Sequence, residues 1–418
     1  MKKKILLISD DIRGTSGVSH ISKNLIVSTI DRFDWVQLAA MRNHPEQGHI
    51  IDVSESICKL TDNTECYARL YPTSGYGDEQ ILTNIIDIES PDGILHISDP
   101  RNFDYLYEMD HEIRDKMPLM YYHVWDNDPV PVFNKYIYDS CDWIGCINKK
   151  THGFVEEVNS ETKTSYIPHG VSSEDFYKLS EHEVSDMKSK ILGDIKYDFI
   201  IFSNNVNIPR KQLPTLLKAV DEFSKKHTSH KICLLMHNNP GSVVSDNLRL
   251  IASDLCKNLD VVFSESSLNL TDLNTMYNIC DITVNIASNE GFGLSTLESL
   301  MTETPILATD TGGLSDQMYD DGNLGMWAYA IKPSVRRLNS GGDVPYIYDD
   351  ICDIPSICIG LEHWFKKTKQ DREICGLSGR NFAETKLGLN MMVNKLADNI
   401  LSTVNTHIHH ETRKLIKL

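Results

Sequence analysis

The sequence predicts an α/β protein of two doubly wound parallel-sheet domains in tandem, and three observations carry that reading. Apolar runs of about five to seven residues alternate with longer amphipathic segments, the pattern of buried parallel strands joined by crossover helices. The pattern then restarts. Lys4-Ile5-Leu6-Leu7-Ile8-Ser9-Asp10 opens the first half and Asp198-Phe199-Ile200-Ile201-Phe202-Ser203-Asn204 the second, each a charged residue, an apolar strand and a polar turn. Finally, 418 residues are too many for one core at roughly 100–200 residues per domain.

In the first half, strands are expected at Lys4–Ser9, Trp35–Ala40, Gly93–Ile97, Leu119–Val124, Trp143–Ile147 and Thr164–Ile167. Helices are expected at Val18–Asp31, Phe103–Lys116, Pro131–Ser140 and Lys149–Val158. The second half alternates strands Asp198–Ser203, Lys231–Met236, Asp260–Phe263, Asp281–Ile286 and Pro305–Ala308 with helices Leu213–Lys226, Ser245–Lys257, Asp272–Ile279 and Leu294–Thr302. Asn339–Pro355, rich in Gly, Asp and Pro, reads as a loop. Helices follow at Ser356–Lys367 and from about Asp371 to Ser402, with a break near Gly388. The turn-rich stretch Pro168–Ser173 marks the linker. The domains are therefore set at residues 1–170, with a terminal helix of about 388–418 packing back, and 171–387.

Composition removes several function classes. With 41 Lys+Arg against 59 Asp+Glu the net charge is −18, a surface that repels polyanions. No stretch approaches the ~18 apolar residues of a membrane span. Met1-Lys2-Lys3-Lys4 imitates a signal peptide, but the apolar run stops at Ser9-Asp10-Asp11. The 10 Cys include no C-x-x-C pair and read as buried free thiols in a reducing, cytoplasmic setting, neither a disulfide framework nor a zinc site. The tail Arg413-Lys414-Leu415-Ile416-Lys417 reads as a solvated end.

Ligands in open α/β sheets bind outside the carboxyl ends of the strands, so residues directly after strands are the candidates, here facing an expected central cleft. Asn289-Glu290-Gly291-Phe292-Gly293-Leu294-Ser295-Thr296-Leu297-Glu298 follows the strand Asp281–Ile286. Gly291 and Gly293 permit a tight turn and close backbone approach. A helix beginning at Leu294 would offer its free N–H groups and positive dipole end to an anion. Glu290 precedes the turn, and Glu298 lies about one helical turn past the helix start, so the two carboxylates can accept from sugar hydroxyls on either side of a bound phosphate.

This E-x(7)-E stretch resembles the motif of retaining glycosyltransferases of the GT-B fold, two Rossmann-like domains facing a cleft, and of their large family 4 group in particular. Tyr277-Asn278-Ile279-Cys280-Asp281, Thr304-Pro305-Ile306-Leu307-Ala308-Thr309-Asp310-Thr311-Gly312-Gly313 and Tyr166-Ile167-Pro168-His169-Gly170-Val171, with Phe176 after it, resemble the family's flanking and interdomain segments. The first domain also resembles enzymes encoded by large tailed phages, through Asp10-Asp11-Ile12-Arg13 and Asp34-Trp35-Val36-Gln37. The resemblance implies that Glu298 holds the ribose of a nucleotide-diphosphate sugar. Glu290 would hold the transferred sugar, and the turn from Gly291 and Phe292 through Gly293, Leu294, Ser295 and Thr296 would contact the diphosphate. Lys211 matches the family lysine. Asn205 stands where the family has arginine, and Arg210 is the substitute, although neighbouring helix residues face different ways. His123 resembles the family histidine that lines the cleft beside the sugar, and Gly17, in Gly14-Thr15-Ser16-Gly17-Val18, the first-domain glycine turn. His96 and Asp99 are weaker candidates for the cleft.

The implied chemistry is sugar transfer to a hydroxyl acceptor on the front face, with a leaving phosphate oxygen taking the proton. It needs no metal and no cofactor beyond the donor substrate. The acceptor stays open among glycan, lipid, protein and a hydroxylated base of modified DNA, although no basic stripe with aromatics supports the last. A sugar-nucleotide epimerase or phosphorylase on the same fold and an inactive nucleotide-sugar binder are the rival readings.

Overall fold

The computed structural model describes residues 2–241, 245–341 and 344–408, and these fall into two compact units. The first comprises the chain up to Trp125, Val130–His169 and the segment from Asn390; the second comprises Asp126–Pro129 and Gly170–Leu389. The basic tail Arg413–Lys417 and the end of the expected 388–418 helix lie outside the described residues.

The first unit is an eight-stranded sheet of β1 (Lys3–Asp10), β2 (Phe33–Met41), β3 (Ile51–Asp52), β4 (Ala68–Ser74), β5 (Gly93–Ile97), β6 (Leu119–His123), β7 (Trp143–Cys146) and β8 (Lys163–Tyr166). The order is β3-β4-β2-β1-β5-β6-β7-β8, parallel except for the β3–β4 pair. Ile5 through Ile8 have no exposed surface, as expected where helices cover both faces of a parallel sheet. The sheet runs outward from β1 to β4 and then returns to the other side of β1 with β5. That reversal is the unit's topological switch point.

The second unit repeats the plan with β9 (Phe199–Asn204), β10 (Ile232–His237), β11 (Asp260–Ser264), β12 (Ile282–Asn285) and β13 (Ile306–Thr309). Two short strands, β14 (Tyr319–Asp320) and β15 (Asn323–Leu324), pair antiparallel ahead of β16 (Ala328–Ile331). Its six-stranded sheet reads β11-β10-β9-β12-β13-β16, all parallel, and reverses between β9 and β12. Phe199, Leu216, Leu234, Ile282 and Trp364 centre its core.

Every strand expected from the sequence is present, with ends shifted by a residue or two. Three differences stand out, while the terminal helix breaks where expected. The strands β3, β4, β14, β15 and β16 and the helices Ser54–Thr61, Glu79–Glu89, Glu181–Leu192 and Gly312–Met318 carried no sequence expectation. Pro72 sits inside β4 because β3 pairs only with Leu70 and Arg69, so nothing on that side needs a hydrogen bond from residue 72. The expected loop Asn339–Pro355 is instead an antiparallel hairpin of β17 (Val335–Gly341) and β18 (Val344–Ile351), running into a helix at Ile354. The terminal helix is two, Lys369–Lys386 and Leu389–Thr406, separated at Gly388 as expected. Eight cysteines are free and buried, whereas Cys58, within the Ser54–Thr61 helix, and Cys66, in the segment between that helix and β4, are joined as a disulfide, correcting the all-thiol reading. Among the described residues no helix is long and apolar enough to cross a membrane.

Candidate active site

The β9–β12 reversal gathers the second unit's candidate side chains. After β9 the chain makes a short 3₁₀ turn, Pro209–Lys211, and Gln212 takes a left-handed φ of 52° before the Leu213–Lys226 helix. After β12 it runs through Ser288–Gly293 into the Leu294–Met301 helix. The two segments are tied together: Ser288 N donates to Arg210 O at 2.7 Å, and Gln212 Nε2 donates to Ile286 O at 2.8 Å.

Lys211 and Arg210 both reach Glu290. Lys211 Nζ donates to Glu290 Oε2, and Arg210 Nη1 donates to the same oxygen at 3.3 Å and to Asn289 O at 2.7 Å. The expectation that these adjacent residues diverge is overturned, because a tight 3₁₀ turn followed by the left-handed Gln212 brings the two long side chains onto one carboxylate. Burial by itself would raise the pKa of Glu290, but the charges of Lys211 and Arg210 outweigh it and hold the carboxyl below its ordinary value. Burial pushes Lys211 down, opposed by Glu290. Arg210 also feels the charge of Asp126, which belongs to this unit. Asn205, at the family arginine's position, is buried and donates only to Ser203 Oγ at 3.4 Å.

Gly293 caps the next helix with φ 90°, which few residues other than glycine adopt. The carbonyls of its turn are taken: Gln317 Nε2 donates to Phe292 O at 2.6 Å and Gly293 O at 3.0 Å, and Thr296 Oγ1 donates to Gly293 O at 2.7 Å. The first N–H groups of the helix, at Leu294 and Ser295, have no intrahelical partner, which makes this end receptive to an anion. Gly313 packs against Gly291 O with no room for a Cβ, and its N–H donates to Glu290 O at 2.9 Å, so the backbone of Glu290 is fixed.

Glu298, partly buried one turn into the helix, accepts from Tyr277 Oη at 2.6 Å, and Tyr277 Oη accepts from Asn204 Nδ2 at 2.9 Å. Burial pushes the Glu298 carboxyl up to about 7, against the lowering hydrogen bond from Tyr277. Tyr277, Asn204, Gln212 and Gln317 were not singled out from sequence. Tyr277 carried a signal in its place in the segment leading to the motif strand, and Asn204 and Gln212 in theirs, at either end of the stretch from the end of β9 that holds Arg210 and Lys211.

The first-unit candidates differ. Gly17 is the exposed first residue of the Gly17–Ser28 helix, whose cap Ser16 accepts from Ser19 N. His123 ends β6 with no exposed surface; Nδ1 bonds Tyr121 Oη at 3.0 Å and Nε2 bonds Tyr138 Oη at 2.8 Å. Burial drives its pKa down to about 3, so the ring is neutral. With both nitrogens engaged and no surface, it offers no atom to a sugar, and the expected catalytic placement gives way to a core one. His96 is equally enclosed, its Nδ1 bonded to Tyr107 Oη at 2.7 Å. Asp99 accepts from Arg101 N at 3.1 Å and Arg101 Nε at 2.8 Å. Among the described residues no group of His, Cys, Asp and Glu comes together as a metal-binding cluster.

Residues 185–332 match the family model described as glycosyl transferases group 1. An α-1,3/1,6-mannosyltransferase of Yarrowia lipolytica is 27% identical over 166 residues, 38% of this chain and 33% of the relative, so the chain spans about a third of that protein's length. Among solved structures, Anabaena HepE in complex with UDP and glucose superposes with a TM-score of 0.69 at 12% identity, over 96% of this chain and 100% of that one. Sucrose-phosphate synthase from Thermosynechococcus elongatus gives 0.72 at 12%, over 96% and 99%. Residues 185–332 are thus a glycosyltransferase group 1 domain, in a chain that has the GT-B fold.

Proposed function

We propose that the protein is a retaining glycosyltransferase of the family 4 type that moves a sugar from a nucleotide-diphosphate sugar to a hydroxyl acceptor without a metal. The observation that carries this is the pair of cations, Lys211 and Arg210, converging on Glu290 at the β9–β12 switch point, beside the helix end at Gly293. Two cations and a helix N-terminus suit a diphosphate. Glu298 suits the ribose hydroxyls, and Glu290, once its cations turn to phosphate oxygens, suits the hydroxyls of the transferred sugar.

In this reading the anomeric C–O bond to the diphosphate breaks while charge builds on the leaving oxygen, which Lys211, Arg210 and the amides of Leu294 and Ser295 stabilise. The acceptor oxygen attacks from the same face, and its proton passes to the leaving phosphate oxygen. The products are the glycoside and the nucleoside diphosphate. The eight buried thiols fit a cytoplasmic setting. HepE was solved with UDP and glucose, which makes UDP-glucose the first donor to try.

A thermal-shift screen of UDP-glucose, UDP-galactose, UDP-N-acetylglucosamine and GDP-mannose tests the donor step: saturation at 100 times Kd adds about 2.7 kcal/mol of stability. Proton NMR of the glycoside made from an α-linked donor tests the stereochemistry. An α-product is expected, and a β-product overturns retention.

A further inference from the structure

We propose that the β17–β18 hairpin positions the reacting loop and that Asp349 and Asp350 are its working residues; the inference rests on the reading of Glu290 and Arg210 given above. The hairpin begins just beyond the 185–332 domain match, and nothing in the sequence expectation gave it a role.

Asp349 is buried and acts on one side of Glu290. Its Oδ1 accepts from Asn289 Nδ2 at 3.0 Å and from Ser288 Oγ at 3.4 Å. Asn289 in turn gives its carbonyl to Arg210, which donates to Glu290. Asp350, 2% exposed, acts on the other side. Its Oδ2 accepts from Thr311 Oγ1 at 2.7 Å, next to the glycine pair whose Gly313 N–H fixes Glu290 O. Its backbone N–H donates to Ser288 O at 3.1 Å, and its carbonyl accepts from Gln212 Nε2 at 3.3 Å. The two aspartates thus hold the residues before Glu290, those packed on its backbone, and the start of the helix behind Lys211.

Two buried carboxylates are costly unless compensated. Their compensation comes from β17: Arg337 Nη2 donates to Asp349 Oδ2 at 2.9 Å, Asn339 Nδ2 to the same oxygen at 3.2 Å, and Arg336 Nε to Asp350 Oδ1 at 2.8 Å. Arg336 also pairs with Asp128 at 3.3 Å, and Tyr348 N donates to Asp128 O at 2.6 Å, anchoring the hairpin to the Asp126–Pro129 segment of the same unit. A scaffold needing only a covered edge has no use for paired buried carboxylates aimed at one loop. Groups that must hold a catalytic carboxylate to within a fraction of an ångström do.

The test uses the full chain with UDP-glucose, or with whichever donor of the screen binds. Asp349→Ala is expected to lower kcat on the order of 10- to 100-fold with little change in donor KM, since misplacement by about 1 Å costs that much without touching the nucleotide contacts. Asp349→Asn, which keeps an acceptor for Asn289, is expected to recover most of that loss and guards against misfolding of the alanine variant. Leu338→Ser, on the exposed outside of the hairpin, should match wild type. Independently of turnover, hydrogen exchange of residues 287–293 should speed up in Asp349→Ala with the rest of the unit unchanged. Unchanged exchange, or equal losses in kcat and stability across both Asp349 variants, overturns the positioning role. An active wild type abolished by Glu290→Gln but indifferent to Asp349→Ala sinks the hairpin proposal alone. An active wild type indifferent to Glu290→Gln sinks the site itself.

Discussion

Each sheet reverses beside its own first strand, yet the side chains gathered at the two reversals differ in kind. At β1–β5, Asp10 accepts from Ser16 Oγ at 2.6 Å and Ser98 Oγ at 3.4 Å, and the buried Asp11 accepts from Arg13 Nη2 at 2.7 Å and bonds His44 Nε2 at 2.9 Å. The nearby cation, Arg13, is divided between Asp11 and Glu46. At β9–β12 Lys211 and Arg210 instead share a single oxygen of Glu290, with the charge of Asp126 also acting on both. One architecture therefore supplies a reversal whose single arginine is divided between two acids and another whose two cations converge on one carboxylate. The difference teaches that the switch point marks where a ligand can bind, and the charge gathered there decides which kind.

The sharpest way to break the comparison is to remove one cation from each reversal. Lys211→Ala is expected to lower kcat by about 100- to 1,000-fold, the range for losing one preorganised donor at a developing anion. Arg13→Ala should leave kcat within about threefold, because its charge is spent inside its own cluster. Steady-state kinetics on both variants decides the matter: equal losses would mean that the charge contrast has no bearing on catalysis.

A second effect separates the two glutamates of the motif by pH. Glu298 ionises near 7 and Glu290 below its ordinary value, in the free protein. If the ribose is gripped by the charged form of Glu298, affinity for UDP is full above about pH 7. It should then fall up to tenfold per unit as pH drops below that point. The folding linkage of Glu298 runs the other way. Its native pKa lies above the unfolded value, so the folded state binds an extra proton between about 4.5 and 7, and its contribution to stability grows as pH falls through that window. Glu290, held low, contributes stability that is present above the ordinary carboxylate range and is lost on acidification. Calorimetric titration of UDP across about pH 5.5–8.5 checks the first sign. Glu298→Gln should bind more weakly and show a flat profile, and a flat wild-type profile would count against the assignment.

The second unit was the more legible of the two in sequence. Its core strands are short apolar runs bounded by polar turns, and the E-x(7)-E stretch, the glycine at 293 and the helix start at Leu294 were all placed from residue order. What stayed hidden is what depends on non-local pairing. The convergence of Arg210 with Lys211 needed the left-handed Gln212, which residue type does not announce. The hairpin was read as a loop because Asn339–Pro355 is rich in Gly, Asp and Pro, and only pairing shows that Asp349 and Asp350 are buried and paired with the arginines of β17. In the first unit, β4 was masked by Pro72 and Arg69, and His123 was assigned by position where its surroundings are decisive.

His123 gives the smallest effect and the finest sharpening of the contrast. Its neutral ring bridges the hydroxyls of Tyr121 and Tyr138, so His123→Phe keeps the volume and removes both hydrogen bonds. Tyr121 Oη retains Ser98 O at 3.2 Å, whereas Tyr138 Oη keeps only a long contact with Asn134 Nδ2 at 3.5 Å. A buried hydroxyl deprived of its partner costs about 1–3 kcal/mol, which for a unit of this size lowers Tm by about 2–4 °C per kcal/mol. We therefore expect a lower Tm, kcat within about threefold of wild type at 25 °C, and no change in the pH profile between about 5 and 8, where a ring titrating near 3 is already neutral. A collapse of kcat at an unchanged Tm would return His123 to the chemistry and make the first unit a partner in catalysis.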